Sequence, residues 1–306
     1  MNITNDNIPN ICANCGKGEE SSNSLKACTA CKLVKYCNRE CQIAHRPQHK
    51  KACKKRAAAL HDEALFKQPP PGEDCPICML RLPMLRTGST YFACCGKVIC
   101  SGCVCAPVYD NQGNVITEIT CPFCRTPRPN TDEEIVKRNE KRLKAGDTEA
   151  IFSLGQFYDQ GLYGLPQDIA KALELWHRGA ELANAQAYSN IGNCYDIGRG
   201  VEVNKKKARH YWELAAIGGN AIARYNLGLM EGKAGNNDRA AKHFMIAVRD
   251  GESDSLEMIR KMFTKEYATK DDYTKALRAY QAYLDEIKSD QRDKAAAENE
   301  DYKYIE

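Results

Sequence analysis

Four cysteines open the chain as two pairs, Cys12-x-x-Cys15 and Cys28-x-x-Cys31, and are followed by Cys37-x-x-x-Cys41 and His49-x-x-x-Cys53. A structural zinc ion takes four thiolate or imidazole ligands in a tetrahedron, so these eight residues suffice for two closed sites with no position left for a water nucleophile. Hydrolytic zinc chemistry is therefore not expected of them. A second set follows: Cys75-x-x-Cys78, then Cys94 and Cys95, Cys100-x-x-Cys103, and Cys121-x-x-Cys124. It again offers eight ligands for two ions. Cys105 is an alternative to Cys103, and the Cys-x-x-Cys spacing favours Cys103.

Positioning these ligands requires only short elements. A Cys-x-x-Cys knuckle brings two sulfurs of one tight turn to the same ion, whereas Cys37/Cys41 and His49/Cys53 are four apart and suit one face of a helix. Short helices are expected to carry those later ligands. The stretch Lys54 to Leu65 has a helical composition and runs into Pro69-Pro70-Pro71-Gly72, which cannot extend a helix because proline lacks an amide donor and so reads as a stiff spacer. Between Cys103 and Cys121, the turn-forming run Asp110 to Asn114 separates β-prone residues and predicts a hairpin over Tyr109 to Ile116.

Composition narrows the rest. Of 17 cysteines in 306 residues, only Cys194 lies beyond Cys124, so the remainder must fold by apolar packing. The first ten residues have neither a basic start nor an apolar run, and no stretch approaches the length of a membrane span. A cytoplasmic or nuclear location is expected, where paired Cys-x-x-Cys motifs read as metal ligands rather than disulfides. A net charge of +4 is too small to argue for nucleic acid, and the run Lys50, Lys51, Lys54, Lys55 and Arg56 reads first as a solvated helical face.

The order Cys-x-x-Cys, Cys-x-x-Cys, Tyr36-Cys37-x-x-x-Cys41-Gln42, His49-Lys50-x-x-Cys53 resembles the MYND zinc finger. The resemblance implies interleaved chelation, with Cys12, Cys15, Cys37 and Cys41 on one zinc and Cys28, Cys31, His49 and Cys53 on the other. It also implies docking of proline-containing peptides beside Gln42 and a tryptophan, but Arg46 stands at the tryptophan position, so a purely structural module is the competing expectation. His45 reads as a neighbour of the site rather than a ligand, because His49 is better spaced from Cys53.

The second set, opening "CPIC" and closing "CPFCR", resembles a RING finger in an all-cysteine form, with Lys97 where the usual histidine would be. That implies Cys75, Cys78, Cys100 and Cys103 on one ion and Cys94, Cys95, Cys121 and Cys124 on the other. It further implies that Ile77 and Pro122 contribute to an apolar patch receiving a ubiquitin-conjugating enzyme, and that Arg125 bridges enzyme and ubiquitin. Each also has a structural role open to it: packing the knuckle, stiffening its turn, or solvating the surface.

A repeat begins after a capped, acidic-to-basic helix from Thr131. Ala150-x-x-x-Leu154-Gly155-x-x-Tyr158 returns as Ala187-x-x-x-Ile191-Gly192-x-x-Tyr195, and a third copy shows Ala223-x-x-x-Leu227-Gly228. Lys171-Ala172-x-x-x-Trp176 returns as Lys207-Ala208-x-x-x-Trp212, and Phe244 replaces the tryptophan in the third unit. The period, about 36 residues, predicts stacked helix pairs, with a weaker fourth unit from Ser253. The pattern resembles the Sel-one-like branch of tetratricopeptide-type repeats. Trp176, Trp212 and Cys194 read as packing residues.

The expected fold class is thus multidomain: two small zinc-stabilised α+β modules followed by an all-α helical-repeat solenoid. The boundaries are a flexible 1–9, a MYND-type finger at 10–56, a linker at 57–72, a RING-type finger at 73–130, a connecting helix at 131–146, repeats at 147–288, and a charged, fraying tail at 289–306. Function follows from the resemblances: a RING-type ubiquitin ligase with four structural zinc ions, recruiting a charged conjugating enzyme while the repeats hold a protein substrate. The alternative is a non-enzymatic zinc-finger adaptor or transcriptional cofactor.

Overall fold

A computed structural model describes residues 10–19, 24–84, 86–107, 112 and 119–305. The hairpin predicted over Tyr109 to Ile116 lies, apart from Gln112, outside the described residues, as does the whole N-terminal segment 1–9 with its expected flexibility. The chain forms two compact units, Met1–Lys67 and Gln68–Glu306.

In the first unit, β1 (Lys26–Ala27) pairs antiparallel with β2 (Lys35–Tyr36), and a single helix, α1 (Arg39–Leu65), follows. The Asn38 side chain caps α1 by accepting from the Cys41 amide. Short helices were expected here, but the 27-residue α1 carries Cys41, His49 and Cys53 together and continues through Pro47. Interior proline normally breaks a helix, and two ligands held on α1 beyond Pro47 supply the restraint that keeps it continuous. The core is Cys12, Leu25, Cys28, Cys31 and Tyr36, three of the five being cysteines. So little apolar material is too small a core to fold such a unit without a metal.

The second unit begins with β3 (Ser89–Phe92) and β4 (Lys97–Cys100), an antiparallel hairpin in register Ser89↔Cys100, leading into α2 (Ser101–Cys105). Then come α3 (Asp132–Lys144), α4 (Thr148–Gln160), α5 (Ile169–Glu181), α6 (Ala185–Ile197), α7 (Lys205–Ile217), α8 (Ala221–Lys233) and α9 (Asn237–Arg249). Asp147, Asp168, Asn184, Asn204 and Asn220 each cap the helix that follows through a side-chain oxygen. Helices α4/α5, α6/α7 and α8/α9 pack as pairs, and each pair is keyed in the same way. A Cβ on Gly155 would lie 2.4 Å from Trp176 Nε1, one on Gly192 2.5 Å from Trp212 Cδ1, and one on Gly228 2.5 Å from Phe244 Cε1. Glycine is required because the aromatic face sits directly on the helix backbone. This is why the Gly and Trp/Phe positions recur together.

A fourth pair, α10 (Ser253–Thr264) and α11 (Lys270–Ile287), extends the stack. The segment after Ser289 corrects the expectation of a fraying tail: Asp290–Glu298 is a helix, α12, with Arg292 and Ala295 buried and Tyr304 buried beyond it. Its exposed positions are mostly charged, so composition alone hides the few residues that pack.

The second zinc module is held against the helices at several points. The Tyr91 hydroxyl donates to Asp147 Oδ2 at 2.9 Å, and Arg142 donates to the carbonyls of Ala93 and Cys94 at 3.1 Å each. Arg81 reaches Asp250 at 2.9 Å and Glu286 at 2.8 Å, and the Met84 amide donates to the Tyr283 hydroxyl at 2.8 Å.

Candidate metal centres

Four groups of ligand atoms converge, each with all its atoms within 4.8 Å of one another: Cys12, Cys15, Cys37, Cys41; Cys28, Cys31, His49, Cys53; Cys75, Cys78, Cys100, Cys103; and Cys94, Cys95, Cys121, Cys124. Zinc–sulfur bonds of about 2.3 Å in a tetrahedron place sulfurs about 3.8 Å apart. Sγ–Sγ separations lie at or somewhat below that figure: 3.7 Å for Cys15–Cys37, 3.8 Å for Cys28–Cys53, 3.7 Å for Cys78–Cys100 and 3.8 Å for Cys95–Cys121, with Cys37–Cys41 and Cys94–Cys124 closer at 3.4 Å. His49 presents Nε2 to Cys31 Sγ at 3.2 Å. Zinc as a structural cofactor matches this donor set, and the four-donor groups leave no open position for substrate chemistry. Cys105 stands apart from the third group, with Tyr302 as its hydrogen-bonding neighbour, and Cys194 is buried among helices α4 to α7.

Four of the five Cys-x-x-Cys pairs, all but Cys100/Cys103, are one turn repeated. The amide after the second cysteine donates back to the first cysteine's carbonyl at 2.9 Å in each: Gly16 to Cys12, Lys32 to Cys28, Met79 to Cys75, Arg125 to Cys121. All four donor residues have positive φ, 73°, 55°, 57° and 63°. Only the first is the glycine that this conformation favours, so the motif was not visible at the other three. Backbone strain at Lys32, Met79 and Arg125 is tolerated because the turn points both sulfurs at one spot.

Each group contains one thiol held low. Burial pushes Cys12 up, but amides of Cys15, Cys37 and Asn14 outweigh it and bring the thiol down to about 6. Cys28 reaches about 6 in the same way, against burial, through amides and His49. The Cys100 side chain and surrounding amides bring Cys75 to about 4, and the Thr126 hydroxyl brings Cys124 to about 6. A ready thiolate in each group is a natural first ligand for a metal ion.

Around the second group, His45 is not among the converging atoms. Its ring stacks on His49 at 5.6 Å with an interplanar angle of 13°, and its Nδ1 lies 3.1 Å from the hydroxyl of buried Tyr36. Such contacts orient a ligating imidazole. Gln42, Ile43 and Arg46 are exposed on α1. In the second module, Cys94 and Cys95 sit in the turn between β3 and β4, where the Gly96 amide donates to the Phe92 carbonyl at 2.8 Å and Gly96 has φ 70°. That tight turn turns both adjacent sulfurs toward Cys121 and Cys124. Lys97 takes no part in the ligand group; its Nζ lies 6.0 Å above the Phe123 ring. Ile77 is 41% exposed in the first knuckle of this module, Pro122 is half-buried in the last, and Arg125 is exposed beside it.

The family model for the MYND finger matches residues 12–53, and that for the Sel1 repeat matches residues 148–184, 185–220 and 221–251. Among curated proteins, the chain is 34% identical over 128 residues to the ERAD-associated E3 ubiquitin-protein ligase component HRD3B of Arabidopsis thaliana, covering 42% of this chain and 20% of that protein. It is 32% identical over 85 residues to chitin synthase regulatory factor 3 of Schizosaccharomyces pombe, covering 27% of this chain and 9% of that one. The chain therefore spans about a fifth or less of the length of these relatives. A Sel1 repeat protein from Oxalobacter formigenes superposes with a TM-score of 0.44 at 24% identity, over 50% of this chain and 64% of that one. No described helix is long and apolar enough to cross a membrane.

Proposed function

We propose that the chain holds four structural zinc ions and acts as a RING-type ubiquitin ligase, its second zinc module receiving a charged ubiquitin-conjugating enzyme and its repeats binding a protein partner. The observation that carries this proposal is the placement of Ile77 and Arg125. Both are exposed, on the first and last knuckles of one cross-braced module, with Pro122 half-buried beside the latter. Such a ligase forms no covalent intermediate and works by orientation. Ile77 and Pro122 supply apolar contact, and Arg125 supplies a planar multiple donor, fixed by its knuckle turn, for the thioester-linked ubiquitin. The first relative's name, a component of a ubiquitin ligase, agrees with a role in that chemistry.

Ubiquitin transfer by the purified zinc-loaded chain across a panel of conjugating enzymes tests this. Ile77→Ala and Arg125→Ala should each reduce transfer at least tenfold with zinc content unchanged. Absence of both transfer and binding throughout the panel would favour the adaptor. That second reading is favoured by the anchoring of the zinc module to α4, α9 and α11 through Tyr91 and Arg81, which suits a rigid scaffold.

A further inference from the structure

Arg292 is fully buried, yet among the described residues no carboxylate pairs with it. Its guanidinium donates to three backbone carbonyls, Ile287 at 2.6 Å, Arg81 at 2.9 Å and Leu80 at 3.4 Å, and Nη2 points at Cys78 Sγ from 3.9 Å. Those carbonyls leave the cation's charge unbalanced. A buried cation without an anion is costly, and so is a zinc ion with four thiolates, which carries a net charge of −2. Each cost is partly offset when Arg292 sits beside the group Cys75, Cys78, Cys100 and Cys103, one positive charge against two negative.

Arg292 is also the residue by which α12 docks. Its backbone and Cγ pack on α2 so closely that a Cβ on Gly102 would fall 2.8 Å from Arg292 N and 3.0 Å from its Cγ. Past α12 the chain returns to the same module: a Cβ on Gly88 would lie 2.7 Å from Tyr304 Cβ, and the Thr87 hydroxyl donates to the Lys303 carbonyl at 2.5 Å.

We propose that α12 is a zinc-dependent latch: Arg292 balances the negative zinc-thiolate group as an outer-sphere positioning residue, and the C-terminal segment 289–304 docks only while that group holds its metal. Loss of the metal removes the restraint that holds Cys78, Cys100 and α2 together, and with it the surface on which Arg292 and α12 dock, so the segment is released for other contacts.

The test uses the full-length zinc-loaded chain treated with a chelator, following cysteine alkylation and amide hydrogen exchange by peptide mass spectrometry. Protection across 289–304 should disappear in step with alkylation of Cys78 and Cys100, while α6 to α8 stay protected. In untreated protein, Arg292→Met should speed alkylation of Cys78 and Cys100 at least tenfold over wild type, with Cys28 and Cys31 unchanged. Arg292→Lys, which keeps the charge but loses the fork, should fall between them. A segment that stays protected after Cys78 and Cys100 are alkylated would overturn the latch. Arg292→Met matching or outlasting Arg292→Lys would overturn the charge-balancing role, because a purely packing role favours the apolar side chain.

Discussion

The hydroxyl of Tyr91 and the carboxylate of Asp147 join the second zinc module to the first repeat: Tyr91 donates to Oδ2 at 2.9 Å while Oδ1 of the same group accepts the Glu149 and Ala150 amides that begin α4. One side chain therefore serves as helix cap and as inter-element strut. Asp147→Ala should destabilise the second unit by about 2 kcal/mol, the upper end of a lost cap plus a hydrogen bond. Tyr91→Phe should cost about 1 kcal/mol, and the double variant less than the sum. Urea unfolding of all three variants measures the coupling; strict additivity would mean that the bond contributes nothing.

Gly192→Ala should destabilise despite alanine's better helix propensity of about 1 kcal/mol. The new methyl would sit 2.5 Å from the Trp212 ring, and overpacking of this kind typically costs about 1 to 3 kcal/mol. Thermal melts followed by tryptophan fluorescence are suited to this, since both tryptophans of the chain, Trp176 and Trp212, lie in the repeats. An unchanged or raised melting temperature would show that the aromatic ring can move aside.

Pro47 predicts the opposite sign. It lies inside the continuous α1, where proline costs about 3 kcal/mol relative to alanine. Pro47→Ala should therefore raise the stability of the zinc-loaded first unit by up to that amount, read as slower chelator-driven unfolding. A loss of stability would mean that the proline sets a bend on which the His49 and Cys53 positions depend.

Acid sensitivity of the repeats should begin well above carboxylate range. Burial, with Arg224 nearby, holds His243 down to about 3, from an ordinary value of 6.5. The unfolded chain thus takes up a proton that the folded chain refuses. Stability is full above about pH 6.5 and falls by about 1.4 kcal/mol per pH unit as pH drops from there toward 3. Glu231 joins at lower pH: burial raises it, but Arg209, Asn236 and Arg239 outweigh that and hold it near 2, so its contribution is present above 4.5 and is lost between 4.5 and about 2. His243→Gln should flatten the first of these slopes in urea titrations read by tryptophan fluorescence. An unchanged slope between pH 6 and 5 would rule out the histidine as its source.

The parts of this architecture that were legible in the sequence are those in which chemistry fixes spacing. Ligands four apart on a helix and three apart on a knuckle leave little freedom, and Gly192 beside Trp212 repeats because the backbone contact repeats. Context was needed elsewhere. Lys32, Met79 and Arg125 adopt a left-handed conformation that no glycine advertised, because the turn around the paired sulfurs imposes it. Pro47 signalled a break that two ligands beyond it override. Arg292, in a segment composed like a solvated tail, is fully buried because it packs against Cys78, Leu80 and Arg81, some two hundred residues earlier in the chain.

Metal content is the most direct test, because the folds of both cysteine modules, the proposed ligase surface and the proposed latch all rest on it. Native mass spectrometry of the full-length chain, purified under reducing conditions, should show a mass exceeding that of the polypeptide by four zinc ions net of the protons displaced. Cys95→Ser should weaken retention of one ion while leaving the groups that contain Cys28 and Cys75 filled. A chain that folds with two ions or fewer, or whose mass reveals disulfides in place of metal, would contradict the account.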